Sequence, residues 1–459
     1  MPEKQLRAGA ASACITPGLG TSLAGSMTDR TAEMIHDDLA ARCLVLDNGE
    51  TKLALVVLDL IAAKKEWLAE IRHQITSFTG IPISNICISC THTHSAATPV
   101  DVFQSTADRK YLDWAGPRIV DAVRIATRRL QPARIGWGIG REDRVVFNRR
   151  FFMKPGTKLN SPFPGVVEKV RMNPGILNPD IVKPAGPIDP DVAVLAVQKL
   201  DKPNGQPLAL FASYALHYVG GMPGDQVSAD YFAAVGDRLF DLFPAPLHDA
   251  VQPFVPILAN ACFGDINNID VTRAARPALA YQQVQAVADI VARAIYETWR
   301  NIRYTDWVPL GVAEATLDLA IRKPTEAEVT AARAKLERAP QGPLQLVEDI
   351  YARETVQLAD WPARFSTIVQ ALRIGDLGLC ALPGEPFAQS GLNIKAKSPF
   401  KNTMMIGMAN DYAGYVPTEE QHALGGYETW RAKSSFLEIS AATQMETKAL
   451  ELLRRLGPK

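Results

Sequence analysis

Short β-rich runs alternate with longer segments of three-to-four hydrophobic periodicity along most of this chain, and that patterning confines it to α/β architectures. Residues 42–46, 52–60, 85–91, 192–200, 208–217, 255–259, 368–374, 378–382 and 403–408 read as strands. Between them, 67–79, 111–130, 230–243 and 281–299 have the length and spacing of helices. The expected fold is α/β, a mixed and partly parallel sheet covered by helices.

Composition narrows the function classes. With 47% hydrophobic residues in 459, the chain can bury a large core and is not disordered over most of its length. It carries 49 basic and 49 acidic side chains and no Lys/Arg run, which argues against nucleic acid as a partner. The longest apolar run, 52–63, is interrupted by Asp59 and falls short of the ~18–20 residues that span a bilayer. The first residues lack the apolar stretch of a secretory signal, so a cytoplasmic, soluble protein is expected. Cys14, Cys43, Cys87, Cys90, Cys262 and Cys380 lie in or beside apolar runs, as buried reduced thiols do. Cys87 and Cys90 spell C-x-x-C, but three residues apart on a strand they face opposite sides of the sheet and share neither a disulfide nor a metal.

The length allows two or three domains, yet no repeat and no Gly/Ser linker divides the chain. Prolines recur every few residues between Phe151 and Pro190, which reads as an ordered surface excursion. From Lys323 a second insertion begins: Thr325 and Glu328 form a capping box, predicting helices over about 325–338 and 344–358. Gly136-Trp137-Gly138-Ile139-Gly140 is not a phosphate loop, because no Lys-Ser/Thr follows, and is expected to be a turn between strands.

Five of the apolar runs end in residues of the metal-binding or catalytic type. They lead into His92-Thr93-His94, into His217, into Asn260 through Gly264-Asp265-Ile266-Asn267-Asn268, into Pro383-Gly384-Glu385, and into Asn410-Asp411-Tyr412 and Tyr415. Ligand sites in α/β sheets lie beyond the carboxyl ends of strands, so these ends point to one pocket. Two or three histidines with a carboxylate are a zinc-type set, and such a set with an open position is catalytic. Zinc lowers the pKa of water and polarises carbonyls, which makes hydrolysis the default reading. Piece by piece other readings stay open: core histidines for His92, His94 and His217, a helix-capping carboxylate for Glu385, and packing for Tyr415.

In order, these residues resemble the catalytic domain of the neutral/alkaline (non-lysosomal) ceramidase family. The match begins at Ile15-Thr16-Pro17, Ala24-Gly25 and Ile35-His36, and continues through Val57-Leu58-Asp59-Leu60 and Thr91-His92-Thr93-His94-Ser95. Phe147-Asn148-Arg149, Asp189-Pro190-Asp191, Asn260 to Asp265, Leu382-Pro383-Gly384-Glu385, Tyr415-Val416 with Thr418 and Glu420, and Tyr427-Glu428 follow. The resemblance implies one zinc per chain, held by His92, His217, Glu385 and Tyr415. It also implies that His94, Arg149 and Tyr427 line the site as donors to the scissile amide and its oxyanion. Because these residues draw on nearly the whole length, one catalytic unit over 1–459 is expected.

Two departures shape the expected activity. Where the family has a small residue and then a catalytic serine, this chain has Ile266 and Asn267, and an amide neither attacks nor shuttles protons. Asn267 is therefore expected to orient water or bind substrate, with Asp265, Asp230 or His94 left to move protons. The family's lipid-hydrolysing members also carry a β-sandwich after the catalytic domain, whereas this chain runs into a helix at 446–456. The expectation is a zinc hydrolase of an amide or imide C–N bond in a small, carboxylate-bearing molecule rather than ceramide, with Arg149 or Arg150 holding the carboxylate. The alternatives are a non-catalytic zinc-binding or ligand-binding relative, an ester hydrolase, and a zinc lyase or isomerase. A homo-oligomer is compatible with the sequence.

Overall fold

The computed structural model describes residues 4–200, 206–243, 253–274 and 278–457. Its largest element is an eight-stranded sheet in the order Val255–Asn260, Pro207–Tyr214, Asp191–Lys199, Gln131–Arg141, Arg7–Cys14, Ala40–Asp47, Lys52–Leu58, Ile86–Cys90. A second sheet has the order Leu310–Ala320, Arg364–Ile374, Leu377–Ala381, Asn402–Ile406. The mixed, partly parallel character expected from the sequence is present, in two stacked sheets rather than one.

Side-chain alternation explains the stacking. On Ala40–Asp47 the residues Leu44 and Leu46 join a core that also holds Leu372, Leu377, Leu379 and Met404 of the second sheet. Ala41, Cys43 and Val45 point the other way, into a core closed by helices Lys65–Thr79 and Arg109–Arg128. Helices Tyr231–Leu242 and Gln282–Arg300 cover the other half of that face. Helix Ala441–Leu456 packs on the outer face of the second sheet. The order is thus helices, sheet, sheet, helices, and each leucine or valine buried between layers stabilises it by about 2 kcal/mol. Cys87 falls in the inter-sheet core and Cys90 under the helices, as their spacing required. All six cysteines are free, but Cys14 is exposed rather than buried.

Gly136, Gly138 and Gly140 do not form a turn. They lie inside the central strand Gln131–Arg141, paired along Asp191–Lys199. A Cβ on Gly136 would overlap the Arg303 carbonyl, and one on Gly140 the Thr298 hydroxyl, so the glycines let the end of helix Gln282–Arg300 lie directly on the sheet.

Parallel pairing occurs in three places in these two sheets: Lys52–Leu58 with Ile86–Cys90, Pro207–Tyr214 with Val255–Asn260, and Leu377–Ala381 with Asn402–Ile406. Five of these six strands are the ones whose carboxyl ends carry the polar motifs. The proline-rich excursion forms a small sheet of Arg150–Met153, Val170–Met172 and Ile181–Pro184. Helices Glu326–Leu336, opened by the Thr325/Glu328 capping box, and Val347–Ala359 occupy the later insertion. Among the described residues no helix is long and apolar enough to cross a membrane.

Candidate functional site

His92 follows Ile86–Cys90 with φ of 64°, a left-handed conformation that non-glycine residues hold only where the surroundings enforce it. Three bonds enforce it here. Thr91 N donates to the Leu58 carbonyl, His92 N to that of Leu60, and Asn260 Nδ2 to that of Thr91 at 2.6 Å. Asn260 thus braces the strand end instead of entering the site. Asn410 does the same on the other side, accepting from Ile88 N and Arg72 Nη2 through one oxygen.

The imidazoles converge. His92 and His94 bring their Nε2 atoms to 3.1 Å, and the His92 and His217 ring centroids are 4.8 Å apart. Glu385 Oε2 lies 3.3 Å from His92 Nε2 and 3.8 Å from His217 Nε2. Glu385 pairs in register with Tyr415 across a short parallel bridge, which sets the tyrosine beside the carboxylate. Tyr415 and Tyr427 are 5.8 Å apart edge to face, and the Arg149 guanidinium carbon is 5.4 Å from the centre of the Tyr415 ring.

Hydrogen bonds fix which atoms face inward. His92 Nδ1 lies 2.6 Å from the Ile61 carbonyl and His94 Nδ1 2.9 Å from that of Gly25. Carbonyls only accept, so each Nδ1 carries the proton and each Nε2 presents a lone pair. A carbonyl on the far nitrogen is the usual support of a metal-ligating histidine. His217 Nε2 and Glu385 Oε2 are buried with no hydrogen-bond partner. Buried unpaired polar atoms are costly, and lone pairs facing lone pairs repel, so this cluster fits a bound cation. His92, His94 and His217 can hold a metal ion, their ligand atoms all lying within 4.8 Å of one another. Burial, then neighbouring His92, drives His94 well below the usual imidazole pKa; burial, then Arg149, does so for His217. Both rings stay neutral, as ligation requires. Burial, with Glu385 adding to it, raises the Tyr415 phenol, and burial raises that of Tyr427.

The cluster lines a cavity of about 660 Å³. His92, His94, Arg149, His217, Glu385, Tyr415 and Tyr427 all face it. Its outer wall comes from residues 158–162 and 170–173 of the proline-rich excursion and 345–348 at the start of helix Val347–Ala359. Arg149 Nε donates to Glu428 Oε1 at 2.7 Å and Nη1 stands 3.4 Å from His217 Nδ1, while Nη2 is buried without a partner.

Several expected site residues sit elsewhere. Arg150 is fully buried, paired with Glu428 and donating to the Gln421 side chain and the Gln421 and Gly425 carbonyls, and it does not line the cavity, so it is not placed to meet a substrate carboxylate. Asp265 accepts from Ala388 N at 2.9 Å and Asn148 Nδ2 at 2.7 Å, bracing the start of helix Ala388–Lys397 outside the cavity. Asp230 caps helix Tyr231–Leu242 and accepts from Val219 N and Gly220 N. Asn267 is 7% exposed and lies behind the cavity wall. His94, expected to donate, presents an acceptor instead.

Two residues have tasks that the motifs do not reveal. Tyr218 stacks on His94 at 3.8 Å between centroids and lines the cavity; its position directly after His217 was the available signal. Glu428, next to Tyr427, bridges Arg149 and Arg150 and so aims the first of them.

No protein-family model matches the chain, and no curated protein sequence matches it. Solved structures do. The crystal structure of neutral ceramidase from Pseudomonas aeruginosa is similar over 100% of this chain and 76% of that one, with a TM-score of 0.73 at 19% identity. A ceramidase complexed with C2 is similar over 99% of this chain and 76% of its own, with a TM-score of 0.71 at 18% identity. The order of motifs along the sequence and the path of the backbone therefore agree: this chain has the fold of the neutral ceramidases.

Proposed function

We propose that the protein is a metal-dependent hydrolase, zinc being the metal that best suits the donors, acting on the C–N bond of a small amide or imide that bears a carboxylate. The observation that carries this reading is the pair of Nε2 lone pairs of His92 and His94 at 3.1 Å, beside the unpartnered His217 Nε2 and Glu385 Oε2. His92, His217 and Glu385, with Tyr415 beside them, would hold the metal, and the His94 ring would close the set or accept a hydrogen bond from the attacking water. A zinc ion there supplies Lewis acidity and brings the pKa of water toward neutrality.

The chain's own groups do the rest. Arg149 Nη2, buried and unpaired, is the donor available to negative charge growing on a carbonyl oxygen, and the Tyr427 phenol, kept protonated by burial, is a second. His94 Nε2 is the acceptor facing the cluster and, with its ring held neutral by burial, would orient the attacking water by accepting its hydrogen bond. Ceramide is not the proposed substrate.

The reading is tested by incubating the zinc-loaded protein with amides, imides and esters in heavy-oxygen water. One labelled oxygen in a carboxylate product supports it, with faster turnover of amides or imides than of esters. Product formed with no label from water contradicts it and points to a lyase or isomerase.

A further inference from the structure

Asn267 stands where the resemblance leads one to expect a serine, and its hydrogen bonds assign it a different task. Its Oδ1 accepts from the backbone N–H of Ile269 at 3.0 Å, and a backbone N–H can only donate, so the orientation of the amide is fixed. Asn267 Nδ2 therefore donates to Asn173 Oδ1 at 2.7 Å, which fixes the second amide in turn. With its oxygen so engaged, Asn173 has both hydrogens of Nδ2 left, and among the described residues they have no partner. Asn173 lines the cavity, and its own N–H bonds the Arg149 carbonyl at 2.8 Å, placing it beside that arginine. Its φ of 46° is left-handed, a conformation that asparagine adopts more readily than most residues.

The charges around Asn173 select what it meets. Lys158 and Arg171 line the same outer wall, and among the described residues neither forms an ion pair; the opposing carboxylate there is Glu348. Arg149 already shares Glu428 with Arg150. The wall thus offers a fixed amide donor and a surplus of positive charge.

We propose that Asn173, oriented by Asn267, is a specificity-determining residue that hydrogen-bonds a carboxylate of the substrate, with Lys158 and Arg171 adding longer-range attraction. This rests on the reading of the cavity as the site for a small amide or imide, and it replaces Arg150 as the residue that recognises the anionic group.

The test uses the metal-loaded full chain and two pairs of probes, glutaramate beside pentanamide and N-butanoylglycine beside N-butanoylmethylamine. Dissociation constants are measured for the parent and for Asn173→Asp, Asn173→Gly and Asn267→Ala. Aspartate and glycine both tolerate the left-handed backbone, and metal content and melting temperature report whether each variant is folded. The parent is expected to bind the carboxylate member of at least one pair tighter by about tenfold or more, the scale of a charge-assisted hydrogen bond. Asn173→Asp is expected to abolish that preference, and Asn173→Gly and Asn267→Ala to weaken it. Equal binding within both pairs, no binding of any probe, or a preference that survives in folded Asn173→Asp overturns the proposal. Product formation is followed separately, so a carboxylate preference without hydrolysis counts against the hydrolase reading and leaves this one standing.

Discussion

The Nε2 atoms of His92 and His94 face each other at 3.1 Å, while the Nδ1–H of each ring is committed to a backbone carbonyl. Two lone pairs directed at one another repel unless a positive charge lies beside both. A proton or a metal ion can supply that charge, and the unpartnered Glu385 Oε2, 3.3 Å from His92 Nε2, favours the metal.

Replacing Glu385 by glutamine keeps the shape of the side chain and removes its charge. If Glu385 is a ligand, zinc affinity falls by about 100-fold or more while the fold persists, because a neutral amide oxygen is a poor substitute for a carboxylate. Calorimetric titration of the metal-free variant with zinc checks this; unchanged affinity removes Glu385 from the ligand set.

Arg149→Met should leave metal content intact and lower kcat by about 10²–10³-fold, the usual loss on removing one oxyanion donor. Glu428 keeps Arg150 as its partner in that variant, so stability should change little. A rise in KM with kcat unchanged would instead make Arg149 a ground-state binding residue.

Arg150→Met should behave in the opposite way. Glu428 keeps Arg149 as its partner, but the buried Gln421 side chain and the Gln421 and Gly425 carbonyls lose their donor, at about 1–3 kcal/mol for each acceptor left unsatisfied. Urea unfolding measures the loss, and a fully stable variant with weakened substrate binding would restore Arg150 to the substrate-binding role it was first expected to have.

Burial raises the Asp265 carboxyl from the ordinary 3.8 to about 6, against the opposing effect of the Ala388 N–H. The folded chain then holds this proton more tightly than the unfolded one. The contribution of Asp265 to stability is largest below pH 4 and declines as pH rises toward 6. In Asp265→Asn this titration is gone, so the stability difference between parent and variant should shrink across that interval when unfolding is followed at each pH. A difference that grows with pH contradicts the assignment.

How far the sequence revealed the molecule depended on whether a residue's task was chemical or geometric. The strand ends were legible because parallel pairing buries both faces, giving continuous apolar runs such as 255–259 that stop abruptly at polar residues. The strand Arg7–Cys14 was hidden because its alanines, glycine and serine carry no β-branched signal, and Leu310–Ala320 because its residues are half exposed along much of its length. The glycines of Gln131–Arg141 looked like a turn because nothing in their spacing reveals a helix lying against them. His92, His217, Glu385 and Tyr415, which line one cavity, stand out in the sequence by the order of family-like motifs and not by residue type alone. Asp265 and Arg150 were of the right type, but their partners Ala388, Asn148, Gln421 and Glu428 are far away in sequence, and only the fold brings them together.

The most direct test of the account is metal stoichiometry measured together with turnover. The protein is stripped with a chelator, reloaded with increasing zinc, and assayed at each step for hydrolysis of the best amide or imide substrate, with a His92→Ala, His217→Ala double variant in parallel. Activity is expected to rise in proportion to bound zinc and level off at about one ion per chain, and the folded double variant is expected neither to bind the ion nor to turn over substrate. Full activity in the stripped protein, or in the double variant, would contradict it.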